Sequence, residues 1–289
     1  MSERRRALAA WVAVCLIWGT TYLGIRVSIE TMPPFLMTGL RWTLAGVLFT
    51  LALRVRRVTL PPMSAWPAVA MMAFLIILIG NGGVVWAEQY VTSGLTAVLI
   101  ASSPFWMTGI EMLIGGERLT ARTVVGLSVG FAGILLLVWP ELGGGAQGTR
   151  FVAGVIAIQI ACAGWAAGSS WSRRHARADN VFSVTALQML LGGVMTLALA
   201  TAAGEWSKLH FSPRSTVAFL YLATIGSIGG YAAYAYALKH LPVAFVSLYA
   251  YINPIIAVVL GVAILGEPFD ARMMAAAAFV LAGVALVHA

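Results

Sequence analysis

Charged residues are scarce in this 289-residue chain: aspartate, glutamate, lysine and arginine together make up only 10% of it. Soluble domains carry about 25% charged residues. Hydrophobic residues account for 61% of the chain, and its mean hydropathy is +0.91. This balance excludes an ordinary soluble globular protein and predicts an integral membrane protein.

The chain also lacks the motifs of a catalytic domain. It has no G-x-x-x-x-G-K-[ST] run, which excludes an ABC-type ATPase. Its two cysteines, Cys15 and Cys162, lie in apolar runs and match no metal or redox spacing. The four histidines fall in loops or at helix ends, so no buried nucleophile and base are predicted. We therefore expect neither an enzyme nor a cofactor or metal site.

Long apolar runs dominate what is present. A bilayer core requires about 20 apolar residues per helix. The runs are continuously apolar, as expected for α-helices, and we number them helix 1 to helix 10. They cover residues 7–26, 33–53, 65–88, 94–115, 121–139, 151–171, 182–202, 214–238, 243–265 and 271–288. The sequence predicts an all-α membrane protein of ten transmembrane helices.

The placement of Lys and Arg predicts the orientation. With the amino terminus inside, twelve of the 18 basic residues lie on the cytoplasmic side, five lie on the other side, and Arg41 lies within a span. The basic balance therefore reflects topology and contact with lipid headgroups, and no nucleic-acid partner is needed to explain it. We predict a multi-pass protein of the bacterial cytoplasmic (inner) membrane with both termini in the cytoplasm.

The two halves of the chain repeat each other. At an offset of 150, Pro104 aligns with Pro254, and Gly116-Glu117 aligns with Gly266-Glu267. Upstream, an offset of 147 aligns Cys15 with Cys162 and Trp18 with Trp165. Because each half has five helices, the second half enters the membrane from the opposite side. The predicted units are a first repeat over 1–142, a Gly-rich linker over 143–150 and a second repeat over 151–289.

These features resemble the drug/metabolite transporter superfamily, EamA type. The resemblance lies in the ten-helix duplication, the tryptophan-bearing Cys15-Leu16-Ile17-Trp18-Gly19-Thr20 segment, and a proline-containing helix followed by Gly-Glu in each half. The aromatic-rich interior is similar to bacterial exporters of aromatic amino acids. The resemblance implies a central cavity enclosed by helices 1 to 4 and 6 to 9, and efflux of small metabolites.

Prolines at the centres of helices 4 and 9 predict the location of the site. Pro104 and Pro254 each remove a backbone hydrogen bond, which a membrane tolerates where other groups or water satisfy the carbonyl. Equivalent breaks in both halves indicate a binding site and assign the two prolines a gating role. The alternative is that the prolines only shape helix packing.

Polar and aromatic side chains near these breaks form the predicted substrate site. Aromatic stripes also occur as simple helix packing, and this alternative stays open. Arg41 is the one cation well inside a span and is expected to attract a substrate carboxylate, unless it pairs with Asn81 or Glu88. The predicted substrate-binding residues are Trp18, Tyr22, Arg41, Asn81, Ser102, Ser103, Trp106, Trp165, Tyr231, Tyr234, Tyr249 and Asn253.

The predicted function is export of small metabolites, namely aromatic or other apolar amino acids, by alternating access. A channel-like facilitator, or an exporter of other metabolites or drugs, is the alternative. Few carboxylates lie within the spans, so proton antiport and facilitated efflux stay equally open. Small residues on helix 5 (Gly126, Gly130 and Gly133) and on helix 10 predict either packing within the monomer or a homodimer.

Overall fold

A computed structural model of the chain describes residues 3–115, 120–175, 180–241, 243–246 and 248–288. These residues form helices and turns, and no strand occurs among them. Arg118, Arg177 and the Gly116-Glu117 pair, which were used for the orientation and the repeat, lie outside the described residues. The ten helices span Glu3–Ser28, Pro34–Val55, Met63–Ala87, Ser93–Leu113, Ala121–Gly143, Gly145–His175, Val181–Ala202, Pro213–His240, Tyr249–Leu265 and Ala271–His288.

The first eight helices are each long and apolar enough to cross a membrane, and the last two are shorter apolar helices. The predicted fold class is therefore confirmed. Helix 6 differs from its predicted bounds because it begins at Gly145. Most of the predicted linker over 143–150 is consequently helical. Helix 5 ends at Gly143, Gly144 lies between the two helices, and Gly145 and Gly148 lie within the first turns of helix 6.

Helix packing follows the duplication. Helix 2 packs against its equivalent, helix 7, and helix 5 packs against its equivalent, helix 10. Helix 1 packs against helices 8 and 9 of the second half, while helix 6 packs in the same way against helices 3 and 4 of the first half. This exchange of partners is the arrangement expected for two inverted repeats related by a pseudo-two-fold axis.

Two ends of the bundle can be distinguished by their contacts. At one end, which we call the Glu88 end, the Arg26 guanidinium contacts the carbonyl oxygen of Glu88. At the other, the Glu111 end, Arg174 lies 3.1 Å from the Glu111 carboxylate, which also pairs with Arg173. Glu111 is therefore held in surface ion pairs, as a structural role would require.

Helices 3 and 8 contain a feature that the hydropathy pattern did not predict. Each has an eight-residue π-helical segment at an equivalent place in its repeat, Phe74–Asn81 and Leu222–Gly229. A polar side chain supports each segment. The Asn81 amide donates to the Ile76 carbonyl at 3.0 Å, and the Ser227 hydroxyl donates to the Leu222 carbonyl at 2.9 Å. Such segments often mark functional positions in helices.

The small-residue faces of helices 5 and 10 contact each other within the chain. A Cβ atom added at Gly283 would lie 2.5 Å from the Gly126 carbonyl oxygen and 2.6 Å from the Gly130 nitrogen. These residues therefore pack inside the monomer, and a homodimer would have to use other faces of the two helices. The dimer stays a prediction.

Gly283→Ala is expected to destabilise the protein, because the added methyl group meets backbone atoms that cannot rotate away. The cost of such overpacking is about 1–3 kcal/mol. The midpoint of thermal unfolding in detergent measures it. Gly109→Ala is the matched control, since a Cβ there has no neighbour within 4 Å. Equal midpoints for the two variants would contradict the close packing of helices 5 and 10.

Candidate functional site

Four aromatic residues meet where helices 1, 8 and 9 pack together, and they form what we call the aromatic cluster. Trp18 of helix 1 is in contact with three tyrosines. Its ring lies 5.6 Å from Tyr231, 5.2 Å from Tyr234 and 5.1 Å from Tyr249, measured between centroids. Tyr234 and Tyr249 are 5.8 Å apart and edge-on. All four side chains are half-buried, so their faces are not fully used by protein packing.

A glycine on helix 8 brings Trp18 into this cluster. The Trp18 indole occupies the space that a Cβ atom at Gly230 would need. The repeat-related pair, Trp165 and Gly80, makes a looser contact. A Cβ atom at Gly80 would lie 3.7 Å from the Trp165 ring. Gly80 and Gly230 are equivalent at the repeat offset of 150. The two repeat-related tryptophans therefore approach repeat-related glycines, each across the boundary between the halves.

Arg41 lies beside the aromatic cluster and is buried, with 4% of its surface exposed. Its Nε donates a hydrogen bond to the Ser227 hydroxyl at 3.1 Å, and its guanidinium carbon lies 4.8 Å from the centroid of Trp42. Trp42 in turn is 6.3 Å from Tyr231. Arg41 makes no ion pair with Glu88 and no hydrogen bond with Asn81, the partners that a purely structural role suggested. It is thus linked to the cluster through Trp42 and the π segment of helix 8.

A second polar group, which we call the Gln159 group, lies between helices 4 and 6. The Gln159 amide oxygen accepts hydrogen bonds from the Trp106 indole at 2.9 Å and from the Ser102 hydroxyl at 3.2 Å. Ser103 donates to the Cys162 sulfur at 3.3 Å. The Gln159 amide nitrogen is buried and finds no partner among the described residues. Ser102, Ser103 and Trp106 thus lie together, but apart from the aromatic cluster.

The two proline positions differ in local structure. Helix 4 is interrupted at Ala101 and Ser102, so Pro104 is the second residue of the segment Ser103–Gly115, where a proline fits without losing a bond. Pro254 lies inside the continuous helix Tyr249–Leu265. Helix 4 is thus broken in the turn that precedes Pro104, whereas helix 9 continues through Pro254, and the gating role of the two prolines stays a prediction.

Asn253 joins helix 9 to helix 1 and is fully used in doing so. With its amide oriented to suit its neighbours, the nitrogen donates to the carbonyls of Cys15 and Tyr249, each at 3.1 Å. Ser103 and Cys162 are the repeat equivalents of Asn253 and Cys15, and they also contact each other. This pair of contacts ties the proline-bearing helix of each half to the first helix of the other half.

The remaining predicted site residues are partly buried. Asn81 donates to its own helix, as described above. Tyr22 lies one turn from Trp18 towards the Glu88 end and is within electrostatic range of Glu88. Trp165 packs against the apolar core that contains Trp42 and Ile77.

Carboxylates hold the Glu88 end together. The Glu267 side chain accepts hydrogen bonds from the Ser93 nitrogen at 2.9 Å and its hydroxyl at 2.8 Å, at the start of helix 4. Glu205, in the turn after helix 7, accepts from the Leu36 nitrogen at 2.7 Å, at the start of helix 2. Burial raises the pKa of the Glu205 carboxyl. These groups satisfy exposed helix amino termini, which explains their positions.

Sequence reasoning missed four residues that build these groups: Trp42, Gln159, Ser227 and Gly230. Gln159 was detectable as a lone amide within a span, and Trp42 as the neighbour of Arg41. Ser227 and Gly230 carry no such signal, because serine and glycine are common in membrane helices.

Comparisons with known proteins agree with this architecture. The EamA-like transporter family matches residues 5–139 and 152–289. The chain is 35% identical to the uncharacterized inner membrane transporter YedA of Escherichia coli K12, over 89% of this chain and 82% of YedA. It is 27% identical to protein PagO of Salmonella typhimurium, over 91% and 86% of the two chains.

Solved structures share the fold. A crystal structure of a protein with 22% sequence identity superimposes at a TM-score of 0.65 and covers 97% of this chain and 96% of its own. The two family matches together span nearly all of the ten helices. The chain therefore belongs to the EamA-like transporter family.

Proposed function

We propose that this transporter exports aromatic and other apolar amino acids across the bacterial inner membrane by alternating access. The observation that carries the proposal is the aromatic cluster of Trp18, Tyr231, Tyr234 and Tyr249, with Arg41 beside it. Aromatic faces bind apolar and aromatic groups through offset and edge-on contacts. A buried guanidinium pairs strongly with a carboxylate. An amino acid with an apolar side chain presents both partners.

The charge of Arg41 selects among small metabolites. Its only described side-chain hydrogen bond uses Nε, so donors on the terminal nitrogens are available to a ligand. A buried cation without a counter-ion costs free energy, which a carboxylate at this position would offset. Many drugs are hydrophobic cations, and the positive charge of Arg41 would repel them. Anionic or zwitterionic substrates are therefore favoured over cationic ones.

Alternating access is supported by the inverted repeats and by the irregular helices that surround the cluster. Helices 3 and 8 carry the π segments, and helices 4 and 9 carry the prolines. Such breaks let parts of a helix change direction while the rest of the bundle stays packed. In this proposal the two halves exchange conformations and open the cluster to each side in turn.

Pro254→Ala is expected to slow transport without reducing the amount of folded protein. Proline inside a helix costs about 3 kcal/mol, and removing it favours the straight form of helix 9 over the bent one. Initial rates of exchange in proteoliposomes measure the effect. Pro104→Ala is the matched comparison and should change the rate less, because helix 4 is already interrupted there. A normal rate for Pro254→Ala would contradict the gating role.

The proposed orientation places both termini in the cytoplasm. Single cysteines at Gly144 and Arg174, in a background without Cys15 and Cys162, are expected to react with a membrane-impermeant thiol reagent from opposite sides. Gly144 should be labelled in intact cells and Arg174 only after the cells are opened. The reverse pattern would contradict the orientation derived from Lys and Arg placement.

A panel of labelled amino acids tests the substrate class. Cells that express the protein and matched cells without it are loaded with each amino acid, and loss of label is followed with time. We expect faster loss of phenylalanine, tryptophan, tyrosine and leucine, and no change for lysine or glutamate. Faster loss of lysine alone, or of no amino acid, would contradict the proposal and favour export of other metabolites.

A further inference from the structure

Among the described acidic residues, Glu88 is the most deeply buried, and its carboxylate takes part in none of the contacts given above. It follows helix 3, its exposed surface is 0%, and neither carboxylate oxygen has a hydrogen-bond partner among the residues that the structure describes. The Arg26 guanidinium contacts the backbone carbonyl of Glu88 and not its carboxylate. A buried carboxylate without hydrogen bonds is unfavourable unless it is neutral or a ligand supplies donors.

The surroundings of Glu88 contain charges of both signs. Arg26, Arg41 and Glu267 lie within electrostatic range of its carboxylate, and so does the hydroxyl of Tyr22. Glu267 is already engaged with Ser93 and Gly94 at the start of helix 4. Arg41 and Glu88 are therefore two buried, opposite charges that make no ion pair with each other. Arg26, which contacts Glu88, lies on the same face of helix 1 as Tyr22 and Trp18 at four-residue spacing, so this face leads from Glu88 to the aromatic cluster, which Arg41 borders through Trp42.

We propose that Glu88 and Arg41 together bind the charged end of a zwitterionic amino acid, with Glu88 accepting hydrogen bonds from the α-ammonium group and Arg41 donating to the α-carboxylate. An ammonium group has three donors, which suits the two free carboxylate oxygens. The substrate side chain then extends towards Trp18 and Tyr249. This inference rests on the proposed function and adds that the substrate must carry both charges.

Access to Glu88 is consistent with this role. A cleft of ≈ 420 Å³ opens at the Glu88 end, and it is lined by Arg26, Ile29, Glu30, Gln89, Leu265 and Glu267. Arg26 thus lies between the cleft and Glu88, and Gln89 is adjacent to Glu88 in the chain. Movement of the Arg26 side chain would connect the cleft with the proposed site formed by Glu88 and Arg41.

The test uses the full-length protein in proteoliposomes, with exchange of labelled phenylalanine as the readout and three unlabelled competitors. Phenylalanine carries both charges, phenethylamine only the ammonium, and 3-phenylpropionate only the carboxylate. For the wild-type protein we expect each single-charge analogue to compete about tenfold or more weakly than phenylalanine. For Glu88→Gln we expect the preference for phenylalanine over 3-phenylpropionate to disappear, while its preference over phenethylamine persists.

Controls separate this inference from the broader proposal. Glu141→Gln removes a partly exposed acid that pairs with Arg272 and does not line the cleft, and it should keep the wild-type pattern. Glu88→Asp keeps the charge and should keep the preference for the zwitterion with weaker binding, which covers the case that Glu88→Gln does not fold. If wild-type protein exchanges phenylalanine but Glu88→Gln retains the full preference, this inference fails alone.

Three further outcomes would overturn it. If Glu88→Gln keeps the wild-type preferences but no longer responds to a pH gradient, Glu88 carries a proton and does not bind substrate. If the wild-type protein exchanges no amino acid at all, the proposed function fails together with the inference. If every Glu88 variant shows the wild-type pattern of competition by the three unlabelled compounds, Glu88 has only a structural role.

Discussion

Trp18→Ala is expected to weaken transport of aromatic amino acids about tenfold or more, because it removes the residue that contacts all three tyrosines of the aromatic cluster. Small substrates such as alanine use less of this surface and should lose less. The ratio of transport rates for phenylalanine and alanine is therefore the informative quantity. Trp18→Phe retains an aromatic face and should fall between the wild type and Trp18→Ala.

Trp139→Ala is the matched control for this experiment. Trp139 lies at the end of helix 5 and is 75% exposed, so it has no contact with the aromatic cluster. Its substitution should leave the phenylalanine-to-alanine ratio unchanged. An equal loss of phenylalanine and alanine transport in Trp18→Ala, with normal amounts of folded protein, would show that the indole acts in packing and would remove the main support for aromatic substrates.

Arg41→Gln is expected to weaken transport of all amino acids together, by about tenfold to a hundredfold. The substitution removes a charge-assisted hydrogen bond to the substrate carboxylate, which is worth about 1.5–3 kcal/mol. Because every amino acid has this carboxylate, the ratio of aromatic to small substrates should stay constant. This uniform loss distinguishes Arg41 from Trp18 in a single set of transport measurements.

Folded protein must be measured alongside, since an arginine within the bundle can also stabilise it. Arg41→Lys keeps the positive charge but loses the planar arrangement of donors, and should restore part of the transport. Arg214→Gln is the control, because its side chain is 58% exposed and pairs with Glu30 at the surface. Loss of folded protein in Arg41→Gln with full transport in Arg41→Lys would assign Arg41 to stability.

Most of the fold was predictable, because a continuously apolar run of about 20 residues crosses a bilayer as an α-helix. The continuous runs gave ten spans close to those observed, and the aligned Pro104 and Pro254 revealed the duplication. Helix 6 exceeded its predicted length because Gly145 to Arg150 are polar or small, so hydropathy does not distinguish their helical turns from a linker. The π segments were not predictable, since they arise from side chains such as Asn81 and Ser227 that bond to carbonyls of the same helix.

The site was predicted only in part. Of the residues predicted to bind substrate, Trp18 and the tyrosines of helices 8 and 9 are neighbours in the structure, and their role in binding stays a prediction. The same prediction grouped Ser102 and Trp106 with them, whereas these residues surround Gln159 elsewhere in the bundle. Hydropathy places a residue at a depth in the membrane but does not give the rotation of its helix.

Exchange of phenylalanine in proteoliposomes tests alternating access by an amino acid transporter most directly. Vesicles that contain the purified protein are loaded with unlabelled phenylalanine and diluted into a trace of labelled phenylalanine. We expect the internal phenylalanine to accelerate uptake of label above that of empty vesicles, and Trp18→Ala to abolish most of the acceleration. Uptake at the same rate with and without internal phenylalanine would indicate a channel-like path and would contradict the proposed mechanism.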